Sequence, residues 1–464
     1  MFALTNLFIT FFLLLFIIFN ILWLILDPLY GGFQFSTLLE FTNLSIRIGI
    51  DSISFFFLYL TVLLISLCLL FSSISRVSFE QKINNMFLIF FIGILLLVVF
   101  YVLDYLLFYI SFEAILVPFF VYIGIAGYRV RRIHAAYLFF FYTLVGSFFT
   151  LISIFIFYSQ IGSTDIEILY NMEFYSTRSF ILWFALFITF SIKIPMFPFH
   201  IWLPEAHVEA PTEGSVLLAG LLLKLGTYGF LRFLFPLFTE QNYYFSPLVV
   251  MLSGIGIAYT SMSTLRQIDI KRIVAYSSIA HMNMCMVGLF SFNEIAFSGS
   301  IFLMIAHGVV SGGLFFIIGM IYNRFNTKII HYFSGVVHYM PILSFFFLML
   351  ILGNIGMPGT SNFIGELLIL CGLMYSNNGI AIICSIIGIF LCTIYSMWMY
   401  NKIIFLLPRF YYLVVFDLFF FEIIILITLV FFMVYLGIQP NCVNNYLSHS
   451  IFYHYSELFS IYTK

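Results

Sequence analysis

Long apolar stretches separated by short polar loops make up most of this chain. A helix needs about 20 apolar residues to cross the hydrocarbon core of a bilayer. About 13 stretches reach or approach that length: 3–26, 52–73, 85–103, 106–126, 134–159, 179–199, 214–236, 247–264, 272–290, 295–321, 340–375, 379–405 and 412–436. The pattern therefore predicts an all-α, polytopic integral membrane protein with about 13 transmembrane helices.

Two of these stretches contain residues that break helices. The sixth runs into a cluster of prolines, and the eleventh, residues 340–375, is too long for one span and contains GNIGMPGTSNFIGE. Irregular backbone at membrane depth persists only inside protein or beside a water-filled cavity, and transporters build ion sites at such broken helices. We therefore expect two discontinuous helices: two half-helices within 340–375, and a short half-helix after residue 199.

Composition agrees with a membrane protein and excludes several other classes. The chain is 63% hydrophobic and 8% charged, whereas a soluble domain carries about 25% charged residues. The net charge of −1 gives no indication of nucleic-acid binding. The six cysteines have no metal-binding spacing, and the chain has no G-x-G-x-x-G, P-loop or H-E-x-x-H motif. We therefore expect no cofactor and no metal in this chain.

The basic residues of the loops predict the orientation of the chain. Twelve of them fall on one side: Arg76, Lys82, Arg129, Arg131, Arg132, Arg266, Lys271, Arg272, Arg324, Lys328, Lys402 and Arg409. The other side has three: Arg47, Arg178 and Lys464. Basic residues favour the compartment in which a membrane protein is made. The N-terminus is then inside and the C-terminus outside. The run LRQIDIKR, residues 265–272, is predicted to be a solvated or headgroup-facing loop.

Three ionisable residues lie deep within predicted spans. Glu113 is far from either end of its span, and Lys193 and Lys224 lie on either side of the proline cluster. A lysine near the bilayer centre costs about 2.5–3.5 kcal/mol on insertion scales, so it is rare and usually functional. If Glu113 lies near Lys193, movement of the carboxylate changes the lysine's affinity for protons. A fixed ion pair that sets helix packing is the alternative.

A second group of ionisable residues includes Glu366, which follows the break in the eleventh stretch. His281 and His307 are in mid-span, and His200 and His207 lie in the proline region. Histidine titrates near neutrality and suits a proton relay, but a lone histidine on an apolar face is often only a packed core residue. Glu366 either exchanges protons with trapped water or caps its half-helix. The remaining acidic residues of this region, which either supply protons or cap helices, are Glu205, Glu209 and Glu213.

Several stretches resemble one known family. They are LLFYISFEAILVPFFVYIG, FPFHIWLPEAHVEAPTEGSVLLAGLLLKLGTYG, LRQIDIKRIVAYSSIAHM and GNIGMPGTSNFIGELLIL. The chain resembles the antiporter-like subunits of mitochondrial NADH:ubiquinone oxidoreductase (respiratory complex I), which are related to Mrp-type cation/proton antiporters. The likeness covers roughly residues 45–410. The family commonly has fourteen helices, and only one precedes IRIGIDSISFF here, so the first family helix is missing or divergent.

The resemblance implies an inverted-repeat architecture, which divides the chain into four parts. They are N-terminal peripheral helices (1–84), a first antiporter-like repeat (85–236), a second (247–405), and a C-terminal helix with an aromatic tail in the intermembrane space (406–464).

The resemblance also implies roles for the buried residues. Glu113 is expected to pair with Lys193, and Lys224 to be the central relay lysine. His281 and His307 are expected to link Lys224 to Glu366, which faces a neighbouring subunit or an exit. The family histidines at the break correspond to His200 and His207.

The function implied is proton translocation by a membrane-arm subunit, with the redox chemistry in other subunits and no direct NADH binding. The expected location is the mitochondrial inner membrane, with the N-terminus in the matrix. The expected partners are other membrane-arm subunits, especially two sister antiporter-like subunits, and lipids. Two alternatives stay open: a stand-alone Mrp-type antiporter, which would have the same charged residues, and a structural scaffold.

Overall fold

A computed structural model describes residues 2–41, 44–74, 78–127, 130–172, 174–376, 378–405, 407 and 416–462. Helices make up most of these ranges, which confirms the all-α membrane architecture. Within them, ten helices are long and apolar enough to cross a membrane, and two more apolar helices are shorter. The total of about 13 transmembrane helices stays a prediction. Of the basic residues counted above, Arg76, Arg129, Arg409 and Lys464 lie outside the described residues.

The helices are numbered in chain order. They are α1 (Phe2–Ile25), α2 (Ser52–Ile74), α3 (Phe79–Tyr101), α4 (Tyr105–Ala114), α5 (Leu116–Ala126), α6 (Arg132–Ile161), α7 (Ile166–Tyr170), α8 (Ser176–Lys193), α9 (Trp202–Glu209), α10 (Thr212–Leu217), α11 (Leu223–Gly229), α12 (Phe235–Leu237), α13 (Thr239–Thr264), α14 (Ile270–Leu289), α15 (Glu294–Phe325), α16 (Pro341–Ile355), α17 (Ser361–Tyr375), α18 (Gly379–Ile404), α19 (Phe420–Ile438) and α20 (Asn441–Tyr462). Two π-turns, Leu218–Leu222 and Phe230–Leu234, join α10, α11 and α12 into one span.

Both predicted breaks are present. Helix α8 ends at Lys193, and the short helix α9 begins only at Trp202, after a turn that contains two of the prolines. The second break separates α16 from α17 at residues 356–360. The expectation of two discontinuous helices is therefore confirmed.

A third interruption was not predicted and separates α4 from α5 at Ile115. Pro118 explains it, because its ring nitrogen carries no hydrogen to donate to the carbonyl of Ala114, four residues earlier. The helix is therefore interrupted within two residues of Glu113.

Burial divides the spans into central and peripheral ones. The span at 212–237 and helix α15 are wholly buried, and α2 is almost so. Helices α1, α6 and α18 bury only about two fifths or less of their apolar residues, and their exposed side chains are the surface expected to face lipid. The ionisable residues at the centre are therefore far from water unless the protein provides a path.

One end of the bundle has structure that the hydropathy pattern did not predict. Strands β1 (Gln34–Phe41) and β2 (Leu44–Ile50) form an antiparallel hairpin there, with Leu39 opposite Ile46. The chain predicted only as an aromatic tail forms α20 at the same end. We call this the hairpin end, and the opposite end, where loop residues 130, 131 and 265–269 lie, the basic end.

A buried ion pair ties the hairpin end together. Asp51, just before α2, accepts a bond of 2.6 Å from the Arg232 guanidinium, and His454 of α20 lies 3.4 Å from its other oxygen. Burial raises the pKa of the Asp51 carboxyl, but Arg232 and His454 more than offset this and hold that pKa below its usual range. The pair therefore stays ionised at neutral pH.

We predict that Arg232→Met destabilises the protein by about 3–5 kcal/mol, because it leaves Asp51 charged, buried and without its main partner. The double variant Asp51→Asn/Arg232→Met should recover much of that loss. Asparagine keeps the side-chain oxygen that caps α2 by accepting from the Ser54 backbone amide. Thermal unfolding of the membrane-extracted protein measures both variants. Equal melting temperatures for the single and double variants would contradict the prediction.

Candidate functional site

Lys224 lies at the centre of the buried span, and none of its side chain is exposed. The adjoining π-turn distorts the helix one turn before it, and the Lys224 ammonium donates to the Ala219 carbonyl in that turn at 2.5 Å. Turns of this kind inside helices occur frequently at functional sites. The main chain therefore provides one partner for a charge that is out of reach of water.

A continuous series of side-chain contacts leads from Lys224 to Glu366. His307 Nδ1 lies 3.0 Å from Lys224 Nζ, and the rings of His307 and His281 have centroids 5.4 Å apart. His281 Nε2 lies 3.3 Å from a carboxylate oxygen of Glu366. We call these four residues the relay chain. The structure thus brings together Lys224, His307, His281 and Glu366, which the sequence placed on four separate helices.

Hydrogen bonding limits which nitrogen of each histidine is free to move a proton. His281 Nδ1 lies 2.9 Å from the Ser277 carbonyl. A carbonyl only accepts, so Nδ1 carries a hydrogen and Nε2 is the atom that exchanges protons with Glu366. For His307, Nδ1 accepts from Lys224 when the lysine is charged, and Nε2 is buried with no hydrogen-bond partner among the described residues. His307 therefore faces Lys224 with Nδ1, and His281 faces Glu366 with Nε2, at the two ends of the relay chain.

The break between α16 and α17 positions Glu366. Gly356 has a φ of +75°, a left-handed conformation that favours glycine. A Cβ atom on it would lie 2.5 Å from the carboxylate oxygen Oε2 of Glu366. The turn therefore leaves just enough room for the carboxylate that contacts His281.

The second pair, Glu113 and Lys193, lies on the other side of the Lys224 span. The two residues interact electrostatically, and the Lys193 ammonium lies 4.2 Å from the centroid of the Phe112 ring. Within the described chain, neither Lys193 Nζ nor Glu113 Oε1 has a hydrogen-bond partner. The pair is close but not locked into a direct bond, so either side chain is able to shift without breaking one.

Close packing links this pair to the relay chain. A Cβ on Gly226 would lie 3.0 Å from the Cβ of Lys193 and 2.7 Å from the side chain of Ile194. Glycine at 226 therefore lets the end of α8 pack directly against α11, two residues from Lys224. The end of α8 therefore lies directly against the helix that carries the central lysine.

The two histidines of the proline region have different surroundings. His207 is fully buried, stacks on Phe315 with ring centroids 4.9 Å apart, and interacts electrostatically with Lys224. His200 packs against Phe197 and Tyr259, with ring centroids 5.9 and 5.4 Å away. The structure thus places His207 beside the relay chain. The ring contacts described for His200 are with Phe197 and Tyr259, which do not belong to the relay chain.

The expectation that residues 265–272 form a solvated or headgroup-facing loop is wrong for Lys271, which lies in the first turn of α14. Lys328 lies in a loop as counted, but its side chain, like that of Lys271, is almost completely buried. Lys271 donates to the Ala210 carbonyl at 3.0 Å, and Lys328 donates to the Val208 carbonyl at 2.6 Å. The carbonyls at the end of α9 attract cations because the helix dipole is negative there. Sequence reasoning missed the burial of both lysines because each lies beside a polar residue, Arg272 or Thr327, at the edge of an apolar run.

Comparison with known proteins gives one consistent result. A family model described as NADH:quinone oxidoreductase/Mrp antiporter, TM, matches residues 102–392. NADH-ubiquinone oxidoreductase chain 4 of Acanthamoeba castellanii is 49% identical over 410 residues, 86% of this chain and 81% of the relative. The protein of that name from Marchantia polymorpha is 50% identical over 367 residues, 79% of this chain and 74% of the relative.

Two solved structures share the fold. A chain of respiratory complex I from Thermus thermophilus is 26% identical, with a TM-score of 0.89 over 98% of this chain and 95% of that chain. A chain of the Mrp complex from Dietzia sp. DQ12-45-1b is 17% identical, with a TM-score of 0.83 over 98% of this chain and 94% of that chain.

We predict that Gly356→Ala moves the Glu366 carboxylate away from His281, because the new methyl group occupies its position. Gly359→Ala is the matched control. Gly359 also has a positive φ, of +91°, but a Cβ there meets nothing within 4 Å, so both variants carry a backbone cost of about 1–2 kcal/mol and only one displaces the carboxylate. A high-resolution map of each variant measures the distance from His281 to Glu366. An unchanged 3.3 Å contact in Gly356→Ala would contradict the prediction.

Proposed function

This chain belongs to the NADH:quinone oxidoreductase/Mrp antiporter family, among the proteins called NADH-ubiquinone oxidoreductase chain 4. We propose that it translocates protons. It does so as a membrane-arm subunit of respiratory complex I. Electron transfer from NADH to ubiquinone takes place in other subunits. This chain converts the signal from that reaction into proton movement and holds no redox centre of its own.

The observation that carries the proposal is the continuity of the relay chain. At 3.0 Å, a proton passes from the Lys224 ammonium directly to His307 Nδ1. The gain of a proton by His307 acts electrostatically on His281, whose ring centroid lies 5.4 Å away, and His281 Nε2 then gives its own proton to the Glu366 carboxylate at 3.3 Å. All four groups are titratable, as a relay requires. A scaffold has no need for four titratable groups in contact across four helices.

Glu113 and Lys193 control the relay in this proposal. When Glu113 moves toward Lys193, the lysine holds its proton more firmly; when it moves away, the ammonium keeps its contact with the Phe112 ring but loses the nearby carboxylate. The charge on Lys193 then acts on Lys224, whose helix packs against the end of α8. Like charges repel, so loss or gain of charge at Lys193 changes the readiness of Lys224 to release its proton. His207 interacts with Lys224 from the basic end and takes part in the relay. His200 lies in the turn between α8 and α9, at the edge of the site.

The chain works with partners. The structural relatives are chains of complex I and of an Mrp complex, and we propose contact with two sister antiporter-like subunits and with membrane lipids in the mitochondrial inner membrane. Glu366 is on the side of the relay away from Lys193, where it passes protons to a neighbouring subunit or to an exit. A stand-alone antiporter would contain the same residues. Co-purification with flavin and iron–sulfur subunits separates the two.

We predict that Lys224→Met gives an assembled complex with little proton translocation by this subunit, because methionine keeps the volume but has no proton to pass. Lys224→Arg should also fail, since arginine does not release its proton. Lys402→Met, a change of the same type at the partly exposed end of α18, serves as the control. Protons moved per NADH oxidised in sealed vesicles measure the effect. Normal pumping by Lys224→Arg would make Lys224 a fixed structural charge.

We predict that the basic end faces the matrix and the hairpin end the intermembrane space. Arg131 and Arg266 are exposed at the basic end, and basic loops favour the compartment of synthesis. A peptide tag added after residue 464 should then be accessible to protease in mitochondria whose outer membrane has been opened. A tag protected there, and cleaved only in inverted inner-membrane vesicles, would reverse the topology.

A further inference from the structure

A polar vestibule opens at the basic end of the bundle, apart from the relay chain. Its volume is about 420 Å³. The ends of six helices surround it: the starts of α3, α6 and α10, and the last turns of α2, α5 and α15. Its polar walls come from side-chain amides, a tyrosine, a threonine and two charged residues. These are Gln81, Asn84, Asn85, Asn323, Asn326, Tyr322, Thr212, Arg132 and Glu213. A space of this size and polarity holds water.

Glu213 is the one carboxylate among the described residues that line the vestibule. Its side chain is only 4% exposed, so most of it lies behind the surface. Thr212 donates to carboxylate oxygen Oε2 at 2.9 Å, and the Tyr122 hydroxyl lies 3.5 Å from the same oxygen. A carboxylate at the inner wall of a water-filled space, with its other face buried in protein, is placed to take a proton from that water.

Behind Glu213 lies a set of buried titratable groups that the relay chain does not use. Lys271 interacts electrostatically with both Glu213 and Glu209, and its ammonium lies 3.4 Å from the Ser215 hydroxyl, half a turn from Glu213. Glu209 is 2% exposed, and its Oε2 has no hydrogen-bond partner in the part of the chain that the structure describes. These groups form a second cluster at the base of the vestibule.

His207 joins this cluster to the relay chain. It interacts electrostatically with both Lys271 and Lys224. His307 of the relay chain also interacts electrostatically with His207. Neither ring nitrogen of His207 has a hydrogen-bond partner among the described residues, although the ring is fully buried. A buried imidazole with both nitrogens unengaged between two lysines is able to bind a proton on either side.

We propose that the vestibule, Glu213 and Lys271 form the proton uptake path of this subunit, leading through His207 to Lys224. This inference rests on the proposed function and adds its inlet. In the first step a hydronium ion in the vestibule transfers its proton to the Glu213 carboxylate and leaves water behind. The carboxylic acid then gives that proton to the neutral amine of Lys271, which restores the carboxylate and forms an ammonium. Lys271 passes the proton to His207, and His207 passes it to Lys224.

Arg132 helps to set the polarity of this inlet. Its guanidinium donates to the carbonyls of Ile125 and Gly127 at 3.0 and 2.8 Å, which holds the cation at the wall rather than on Glu213. A direct pair with Glu213 would fix the carboxylate in its charged form. The structure keeps the two charged residues of the vestibule on different partners, so Glu213 is free to be protonated.

The test uses Glu213→Gln in the assembled complex in sealed vesicles, with Glu80→Gln as the matched control. Glu80 is an exposed carboxylate at the start of α3, at the same end of the bundle, and its loss should leave pumping unchanged. Glu213→Gln should reduce the protons moved per NADH to the level of Lys224→Met, because glutamine cannot carry the proton inward. Glu213→Asp, which keeps the carboxylate, should recover a part of the pumping.

The outcomes separate the inlet from the relay. If Lys224→Met stops pumping while Glu213→Gln pumps like Glu80→Gln, the relay stands and this inlet is wrong. If Lys224→Met and Glu213→Gln both pump normally, the proposed function itself fails, and the inlet with it.

A second measurement applies if Glu213→Gln does not assemble. Asn85→Cys places a thiol in the vestibule, and a negatively charged thiol reagent added at the basic end should label it and slow pumping in proportion to labelling. The same reagent added at the hairpin end should do neither. Full labelling with unchanged pumping, or no labelling from the basic end, would overturn the proposal.

Discussion

A charge at the centre of an apolar bundle has to be balanced from inside the protein, and most of this structure follows from that constraint. Lys224 is fully buried, and its partners are the carbonyl of Ala219 and the imidazole of His307. Both are dipoles rather than full negative charges. The protonation of Lys224 therefore responds to every charge that appears or disappears nearby. The same balance that makes this lysine costly to bury also makes it sensitive to its neighbours.

Broken backbone is the means by which the chain supplies those dipoles. Four of the central ionisable residues lie beside an interruption: Glu113 before the break at Ile115, Lys193 at the end of α8, Lys224 after a π-turn, and Glu366 after the turn at Gly356. His281 and His307 lie within the continuous helices α14 and α15. A regular helix uses all its interior carbonyls and amides for itself, whereas an interrupted one leaves some of them for side chains. The breaks therefore provide backbone partners for buried side-chain charges, and these side chains in turn bind backbone groups that the breaks leave free.

The sequence predicted the spans and the two major breaks because apolar length and Pro/Gly clusters are local signals. It also singled out Glu113, Lys193 and Lys224, since a charge within an apolar run stands out. It did not predict the burial of Lys271, because Asp269 and Arg272 lie close to it in the chain, whereas its burial comes from packing against distant residues such as Ala210 at the end of α9. The β-hairpin and the packing of α20 were missed for a related reason. Their burial comes from contacts with distant parts of the chain, such as His454 with Asp51, which no local pattern records.

The arrangement also explains why the two halves of the site are able to act on each other without a bond between them. Glu113 and Lys193 interact electrostatically, but Lys193 Nζ makes no hydrogen bond within the described residues, so either side chain is able to shift without breaking a direct bond between them. The relay chain is in contact along its whole length, so a proton gained or lost at one end alters the next group. Gly226 brings the end of α8 against α11 with no side chain between them. At that distance the charge on Lys193 reaches Lys224 through low-dielectric protein, where electrostatic effects are several times stronger than in water. The Glu113–Lys193 pair is free to shift, and the end of α8 packs closely against α11. A small movement at the α8 break is therefore able to change the proton affinity of Lys224.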